Sequence, residues 1–183
     1  MPRVIEVVEY DPHWVQAFEK EATVIAAVFG NRVLGIHHVG STAVPGLQAK
    51  PIIDVLVVLD DTSDINSFNH AMQAVGYRVR GECLDASVPG TPGRFYFSKD
   101  TNAIRSHQAH VCAAGHDEIL DKLAFRDYLR IHRQVAIDYG DLKRLAAVTH
   151  RFDNIGYMNA KDTFVKSVLV KARYWYQTKD LSL

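Results

Sequence analysis

Cysteine is scarce in this sequence, with only Cys83 and Cys112 in 183 residues. The two lie far apart and form no CxxC pair, so the sequence supports neither a disulfide framework nor a zinc site built from cysteines. So low a cysteine content is typical of a reducing compartment. We therefore expect a cytoplasmic protein.

An excess of charge of one sign is also missing. Lys and Arg number 21, and so do Asp and Glu, which gives a formal net charge of zero. Such a chain has no overall field to draw it to nucleic acid or to an anionic membrane, so we expect neither partner, and any recognition of phosphate must be local. Long apolar runs are missing too, since no run of apolar residues approaches the roughly 20 that a membrane helix needs.

Apolar residues are plentiful enough for a core, at 48% of the chain. At this length we predict a single domain over residues 1–183. Folding should remove roughly 70% of the unfolded chain's surface from water, so no metal is needed as a structural staple. Any bound metal is therefore free to serve function.

The order of the predicted elements indicates an α+β fold. Apolar spacings of three and four after Asp11-Pro12 predict a helix that ends at Gly30, and alternating or continuous apolar runs predict strands. The strands are expected at 33–39, 52–59, 77–80, 94–99 and 104–112, with a loop at 81–93 and a turn at 100–102. Further helices are expected at 62–75, 116–131, 133–149 and, capped by Asn159, 160–177. Strands first and helices last favour a mixed β-sheet with helices mainly on one face and a helical C-terminal third.

The most informative segment is a loop that runs from Gly40-Ser41 to Lys50 and precedes an apolar strand carrying Asp54. Glycine lets a backbone approach phosphate closely, and the hydroxyl of Ser41, with Thr42 beside it, and the neighbouring N–H groups can donate to phosphate oxygens. A carboxylate on the following strand can bind the divalent cation that accompanies a triphosphate. The hypothesis requires Ser41 and Asp54 to converge on one hollow that solvent can reach.

This arrangement resembles the nucleotidyltransferase superfamily, in which an apolar residue, Gly, and Gly or Ser precede an Asp-apolar-Asp/Glu motif. Lys50-Pro51 stands where many members have Arg-Pro. The second carboxylate is missing, because position 56 is Leu56 and Asp60, the next acid on that strand face, lies about 20 Å farther along. A two-metal site at Asp54 is therefore not expected unless other strands complete it.

A longer string, HVGSTAVPGLQAKPIIDVLV, with RSHQAHVC and LAFRDYLRIH downstream, resembles one branch of that superfamily, the GrpB family. The likeness spans nearly the whole chain, from Tyr10 to Lys143. It implies a nucleotidyltransferase-like fold, a cytosolic location and no settled reaction, and it makes Leu56 a family feature. Some members look like the carboxy-terminal part of dephospho-CoA kinase fusions, which points to coenzyme A metabolism, although this chain has no P-loop.

In the superfamily, a later strand supplies another ligand, and the counterpart here is expected within 104–112. His110 is the first candidate and His107 the second. Because side chains alternate along a strand, these two point to opposite faces, and we assign His110 as the catalytic and metal-binding partner of Asp54, with His107 behind the site. This pair suits Mn²⁺ or Zn²⁺ better than Mg²⁺. A buried histidine bonded to backbone is an equally weighted alternative for His110.

Two cations, one histidine and one acid complete the candidate set. Arg94 on an aromatic strand and Lys50 in the loop are candidates to neutralise phosphate, with solvated surface cations as the alternative. The family resemblance leads us to take His38, and not its neighbour His37, as facing the site. Asp127 lies in the apolar stripe of its helix, which predicts a structural ion pair first and a role behind the metal second.

The sequence is compatible with two functions. The first is a nucleotidyltransferase-fold protein that binds a nucleotide or another phosphorylated small molecule at Gly40-Ser41, with a Mg, Mn or Zn ion at Asp54. If it is an enzyme, it transfers a nucleotidyl group to an acceptor. The second is a non-catalytic nucleotide-binding or accessory module, linked to coenzyme A metabolism, that has lost metal chemistry. Leu56 favours the second function, whereas Lys50, Asp54 and the Gly-Ser pair favour the first.

Overall fold

A computed structural model describes residues 4–82, 92–102 and 104–178 of the chain. The strands are β1 Val33–Val39, β2 Ile53–Leu59, β3 Tyr77–Glu82, β4 Arg94–Thr101 and β5 Ile104–Ala113. The α-helices are α1 His13–Phe29, α2 Asn69–Ala74, α3 Asp117–Ile131, α4 Arg133–Thr149 and α5 Asn154–Thr178. Among the helices in these ranges, none is long and apolar enough to cross a membrane.

The described chain divides into two compact units. The first, the sheet unit, comprises His13–Val39 and the described part of Ile52–Ile119. The second, the helical unit, comprises residues 4–12, Gly40–Pro51 and 120–178. The single domain over 1–183 stays a prediction.

The sheet has the strand order β1-β2-β5-β4-β3. Strands β2 and β5 run parallel, and every other neighbouring pair is antiparallel. The predicted hairpin of β4 and β5 is present, but Asp100 and Thr101 belong to β4, so the turn begins later than the predicted 100–102. Asn102 takes a φ of 51° there, a conformation that asparagine tolerates better than most residues. The α+β class with a mixed sheet is therefore confirmed.

Apart from Asp54, strand β2 is apolar on both faces. On one face Val55, Val57 and Leu59 are all 0% exposed, and on the other Leu56 is also 0% exposed. Such a strand fits only where both of its edges and both of its faces are covered, which is the position between β1 and β5.

Helices α1 and α2 pack on one face of the sheet. Ile25 and Phe29 of α1 are buried, and the Phe18 ring stacks on the His38 ring with centroids 4.8 Å apart. We call this side the helix face, and it carries His38, Val55, Tyr77, Lys99 and His107. The opposite side, the polar face, carries His37, Asp54, Tyr96, Ser98, Gln108 and His110 by the strand register.

Aromatic contacts organise the helical unit. Tyr139 of α4 stacks on Phe164 of α5 with ring centroids 5.3 Å apart, and it meets the edge of Phe125 of α3 at 5.7 Å. A second cluster joins Ile5 of the N-terminal segment to Tyr157 of α5. The predicted helical C-terminal third is confirmed.

Several element boundaries differ from the sequence-based prediction, among them the end of β4 at Thr101 and not at 99. Helix α5 begins at Asn154 because the Asp153 carboxylate accepts the Gly156 N–H at 3.0 Å, so the predicted cap at Asn159 is wrong. The predicted helix 62–75 is a 3-10 turn, Ile65–Phe68, followed by α2. Strand β3 extends to Glu82 through an irregularity at Gly81, whose φ is 78°. Of the predicted loop 81–93, residues 83–91 lie outside the described part.

Candidate functional site

Asp54 lies near the start of β2, on the polar face. It pairs with Val39 across the β1 side and with Gln108 across the β5 side, and two residues along Leu56 pairs with His37 and His110. Paired residues share a face of a sheet, so these side chains form one surface. Leu56, which is 0% exposed, therefore stands at the position where a second carboxylate would be needed.

The structure brings Asp54 and His110 together. The His110 Nε2 atom lies 3.7 Å from Asp54 Oδ1, and the two side chains are 14% and 26% exposed. The imidazole also stacks on the Tyr96 ring, with centroids 5.4 Å apart and planes 26° apart. The ring is thus held flat beside a carboxylate that solvent still reaches. Metal binding or catalysis by this pair stays a prediction.

Tyr96 and Arg105 also belong to the polar face, and the sequence analysis missed both. Arg105 donates from Nη1 to the Tyr96 hydroxyl at 3.0 Å and from Nε to Asp100 at 2.6 Å. Burial raises the pKa of Tyr96; the charge of Asp54 also raises it, while that of Arg105 lowers it. The phenol therefore stays neutral, with its hydroxyl oriented by Arg105. The signal that could have found Tyr96 is its pairing with His110 in the β4–β5 hairpin.

Asp60 is bound elsewhere, as its distance along the strand predicted. Its Oδ1 atom accepts a hydrogen bond from Arg32 Nε at 2.7 Å, beyond the end of β2. This bond is the main reason that the pKa of Asp60 is lowered. Asp60 therefore does not replace the carboxylate missing at position 56.

Arg94 is held by an acid of its own unit. It shares the polar face through its pairing with Cys112, but its Nη1 atom donates to Glu118 Oε1 at 2.7 Å. These two side chains are 17% and 10% exposed. Binding of phosphate by Arg94 would require the guanidinium to share or leave this ion pair.

Cys112, His116 and Glu118 offer three ligand atoms within 4.8 Å of one another. The protein already uses His116 and Glu118, however. His116 Nε2 lies 3.0 Å from the Pro92 carbonyl, its Nδ1 accepts the Glu118 N–H at 3.2 Å, and Glu118 accepts from Arg94. A cation here would have to compete with the arginine and break a ring hydrogen bond, so we interpret this group as a structural one.

His107 lies on the helix face, three residues before His110, as strand alternation predicts. Its Nε2 atom is 3.9 Å from Glu21 Oε2, and Glu21 accepts two hydrogen bonds from Lys99, at 2.9 and 3.0 Å. Burial lowers the pKa of His107; the Glu21 charge opposes this shift and the Lys99 charge adds to it. His107 therefore belongs to a closed cluster on the side of the sheet away from Asp54.

His38 also lies on the helix face, contrary to our expectation. It pairs with Val55, whereas its neighbour His37 pairs with Leu56, so His37 is the histidine that shares the face of Asp54. The His38 ring is 7% exposed and is stacked on Phe18. The family resemblance led us to predict that His38 faces the site. Strand alternation instead places its side chain on the face opposite to Asp54.

The Gly-Ser loop starts with a backbone conformation that favours glycine. Gly40 has a φ of 71° and a ψ of −171°, and Ser41–Ala43 then forms a 3-10 turn closed by the Val44 N–H on the Ser41 carbonyl at 3.2 Å. A side chain at position 40 would be strained there. Thr42 is buried, at 1% exposed, whereas Ser41 is partly exposed.

Arg130 of α3 stabilises the Gly-Ser loop through hydrogen bonds to its main chain. Its Nε and Nη2 atoms both donate to the Ala43 carbonyl, at 3.0 and 2.8 Å. Asp127 in turn accepts from Arg126 at 2.7 Å and from Arg130 at 3.4 Å. The structural ion pair predicted for Asp127 is present, and through Arg130 it helps to fix the turn that contains Ser41.

Lys50, at the end of the loop, lies over an aromatic ring. Its Nζ atom is 4.9 Å from the centroid of the Tyr157 ring, and Lys161 Nζ is 5.0 Å from the same centroid. The ammonium groups of Lys50 and Lys161 therefore both lie near the Tyr157 ring.

Comparisons with known proteins agree with the motifs. The model of a family described as "GrpB protein" matches residues 4–171. The UPF0157 protein YqkA of Bacillus subtilis is 36% identical over 94% of this chain, but the chain spans only 48% of YqkA. A dephospho-CoA kinase of Mycobacterium leprae is 26% identical over 92% of this chain, which spans 46% of that kinase.

A solved structure agrees closely as well. The crystal structure of the conserved protein GrpB from Enterococcus faecalis matches with a TM-score of 0.86 at 35% identity, covering 94% of this chain and 99% of that one. Structures of a poly(U) polymerase and of an RNA terminal U-transferase match with TM-scores of 0.41–0.46 at 10–17% identity, and we draw nothing about function from them.

Proposed function

The chain belongs to the GrpB family, and on that premise we propose that it is a nucleotidyltransferase-fold protein that binds a nucleotide or another phosphorylated small molecule. The phosphates bind at Gly40-Ser41, and a divalent cation binds at Asp54 and His110. We also propose a cytoplasmic location. The observation that carries the site is the 3.7 Å separation of His110 Nε2 from Asp54 Oδ1 on one face of the sheet.

The spacing of these two atoms fits a single cation. Two ligand atoms bound tetrahedrally to one Zn²⁺ at about 2.1 Å lie about 3.4 Å apart. The observed separation requires only a small movement of either side chain. One imidazole and one carboxylate suit Zn²⁺ or Mn²⁺ better than Mg²⁺. When bound, such an ion would neutralise charge on phosphate oxygens.

The proposed phosphate loop begins directly after the end of β1. Val39 is the last residue of β1 and pairs with Asp54, and Gly40 follows it directly in the chain. The glycine conformation and the Arg130 bonds to Ala43 fix the start of the loop before any ligand arrives. A preformed loop loses less conformational entropy when it binds.

A second function is favoured by Leu56. A full two-metal site would need a second carboxylate beside Asp54, and Leu56 is apolar and fully buried at that position. A binding or accessory module without turnover is therefore the alternative. Its link to coenzyme A metabolism is suggested by the similarity to a protein named dephospho-CoA kinase.

Thermal unfolding with each of the four nucleoside triphosphates and with coenzyme A precursors, with and without Mg²⁺, Mn²⁺ or Zn²⁺, tests the proposal. A ligand at a hundred times its dissociation constant stabilises by about 2.7 kcal/mol, which a melting curve resolves easily. We expect metal-dependent stabilisation that disappears in Asp54→Asn and weakens in His110→Gln. Release of pyrophosphate would then identify an enzyme.

Asp162→Asn is the matched control, because Asp162 is an exposed acid on α5 whose partner is Lys166. It should bind ligand and metal as the wild type does. Stabilisation without any dependence on metal or on Asp54 would favour the accessory module. Absence of stabilisation by every nucleotide and precursor would overturn both proposals.

A further inference from the structure

Arg130 of α3 has hydrogen-bond donors left over after it has bound the Gly-Ser loop. A guanidinium group carries five N–H donors. The Nε and Nη2 atoms use one donor each on the Ala43 carbonyl, at 3.0 and 2.8 Å, and Nη1 uses one on Asp127 at 3.4 Å. Within the described part of the chain, two donors therefore have no acceptor, one on each Nη atom. The side chain is 38% exposed, so solvent reaches it.

The carboxylate beside Arg130 is bound more closely by another arginine. Asp127 accepts from Arg126 Nε at 2.7 Å and from Arg126 Nη2 at 3.1 Å, and both bonds are shorter than its 3.4 Å bond to Arg130. The two bonds to Ala43, and not the ion pair, therefore fix where the Arg130 guanidinium lies. A carbonyl is neutral, so these bonds hold the guanidinium without neutralising its charge.

The carbonyl that Arg130 binds belongs to the turn that contains Ser41. Residues Ser41–Ala43 form a 3-10 turn, in which each residue advances the chain by only about 2.0 Å. Ser41 is partly exposed, and its hydroxyl has no hydrogen-bond partner among the described residues. The turn and Arg130 both belong to the helical unit. One short turn therefore has a hydroxyl donor at its first residue and, bound to its last residue, a guanidinium with two further donors.

We propose that Arg130 binds a phosphate group of the ligand held at Gly40-Ser41, through the two N–H donors that remain on its Nη atoms. This inference rests on the proposed function of the loop and adds the side chain that supplies charge to it. Residues 40–43 themselves offer a phosphate only neutral donors. Arginine can give two parallel N–H donors to two oxygens of one phosphate, whereas lysine acts as a point charge.

Isothermal titration calorimetry of the full chain with sodium tripolyphosphate, without added metal, tests the proposal. Arg130→Gln should weaken binding about tenfold or more, because it removes a charge-assisted hydrogen bond. Arg130→Lys keeps the charge without the pair of parallel donors and should weaken binding by less. Ser41→Ala should weaken it about two- to tenfold, because it removes one neutral donor.

Two further measurements separate phosphate binding by Arg130 from its role in holding the loop. The loss of affinity on adding salt should be smaller in Arg130→Gln than in the wild type, because one ionic contact has gone. A loop that is merely loosened would leave this salt dependence unchanged. Asp127→Asn should strengthen binding about two- to fivefold, since it removes a negative charge beside Arg130 while the Ala43 bonds keep the guanidinium in place.

Arg144 and Asp141 of α4 are the matched control pair. They have the same spacing of three residues as Arg130 and Asp127, and their side chains are 56% and 60% exposed. Arg144→Gln and Asp141→Asn should each bind tripolyphosphate within about twofold of the wild type. Urea unfolding of every variant checks that folded molecules are compared.

The outcomes separate this inference from the proposed function. Weaker binding by Ser41→Ala with unchanged binding by Arg130→Gln would overturn the role of Arg130 and keep the loop as a phosphate site. Unchanged binding by both variants would overturn the loop as well. An unchanged salt dependence in Arg130→Gln, or weaker binding by Asp127→Asn, would overturn the direct contact. Absence of binding by the wild type would also overturn it, and thermal unfolding with nucleotides and metals would still decide the proposed function.

Discussion

Two histidines of β5 lie on opposite faces of one sheet, and each is close to a carboxylate. On the helix face His107 is 3.9 Å from Glu21, and on the polar face His110 is 3.7 Å from Asp54. The distances are nearly equal, yet the surroundings differ. Glu21 is 8% exposed and accepts two hydrogen bonds from Lys99, whereas Asp54 is 26% exposed.

A histidine near a carboxylate is therefore not by itself evidence of a binding or catalytic site. On the helix face the carboxylate, the lysine and the helix α1 complete a closed electrostatic cluster that holds α1 to the sheet. On the polar face the carboxylate keeps enough exposure for a ligand or an ion to reach it. We therefore expect the first pair to determine stability and the second to determine binding, and three measurements test this contrast.

The largest effect is expected from Lys99→Met, which leaves the Glu21 carboxylate buried without its cation. Loss of one partner of a buried pair costs about 3 kcal/mol or more. Asp54→Asn should cost less than about 1 kcal/mol, because its carboxylate is partly exposed. Urea unfolding measures both. If Asp54→Asn cost as much as Lys99→Met, the contrast between the faces would be wrong.

The double variant Glu21→Gln with Lys99→Met is the control for this experiment. It removes both charges, so it should recover part of the stability lost in Lys99→Met. No recovery would mean that Lys99 contributes through its packing on Tyr77, where its Nζ atom lies 5.4 Å from the ring centroid.

The next effect is a pH dependence at His107. Its pKa is lowered in the folded state, so between that value and the ordinary pKa of about 6.5 the unfolded chain binds more protons. Stability should therefore fall as the pH drops through this window, by at most about 1.4 kcal/mol per pH unit. We expect a shallower fall in His107→Gln. Unfolding free energies between pH 5 and 8 measure it, and an unchanged slope would contradict it.

The smallest effect is expected from Tyr96→Phe on the polar face. This change removes the hydroxyl that accepts a hydrogen bond from Arg105 at 3.0 Å, and a typical loss is about 1 kcal/mol. Tyr174→Phe, at a side chain that is 73% exposed, is the control and should be neutral. If the proposed cation binds at His110, Tyr96→Phe should leave metal binding within about threefold, because the ring still stacks on the imidazole.

Strand alternation made much of this arrangement predictable. The period of two separates His107 from His110 without any knowledge of neighbouring strands, and the continuous apolar run of 55–59 identifies a strand in the sheet interior. The hairpin was also predictable, but the choice of Tyr96 as the partner of His110 depends on a register shift between Lys99 and Asp100. That shift is a tertiary feature with no sequence signal of its own.

Other features depend on contacts between distant segments. Burial of Lys143 beside the Gln48 carbonyl joins α4 to the Gly-Ser loop segment, and nothing in the local sequence distinguishes it from the exposed lysines of the same region. The ion pair of Asp127 was predictable because an acid inside an apolar stripe needs a cation. The role of Arg130 in holding the Ala43 carbonyl was not, since a bond between side chain and backbone leaves no compositional trace.

The parallel pairing of β2 with β5 has a consequence for biogenesis. During synthesis β1 and β2 are made early and can pair at once, but the other edge of β2 has to wait until residues 60–103 have been made and β5 has left the ribosome. In that interval an apolar strand edge is exposed to other nascent chains. Newly made protein should therefore depend most on chaperones while this middle segment is being translated.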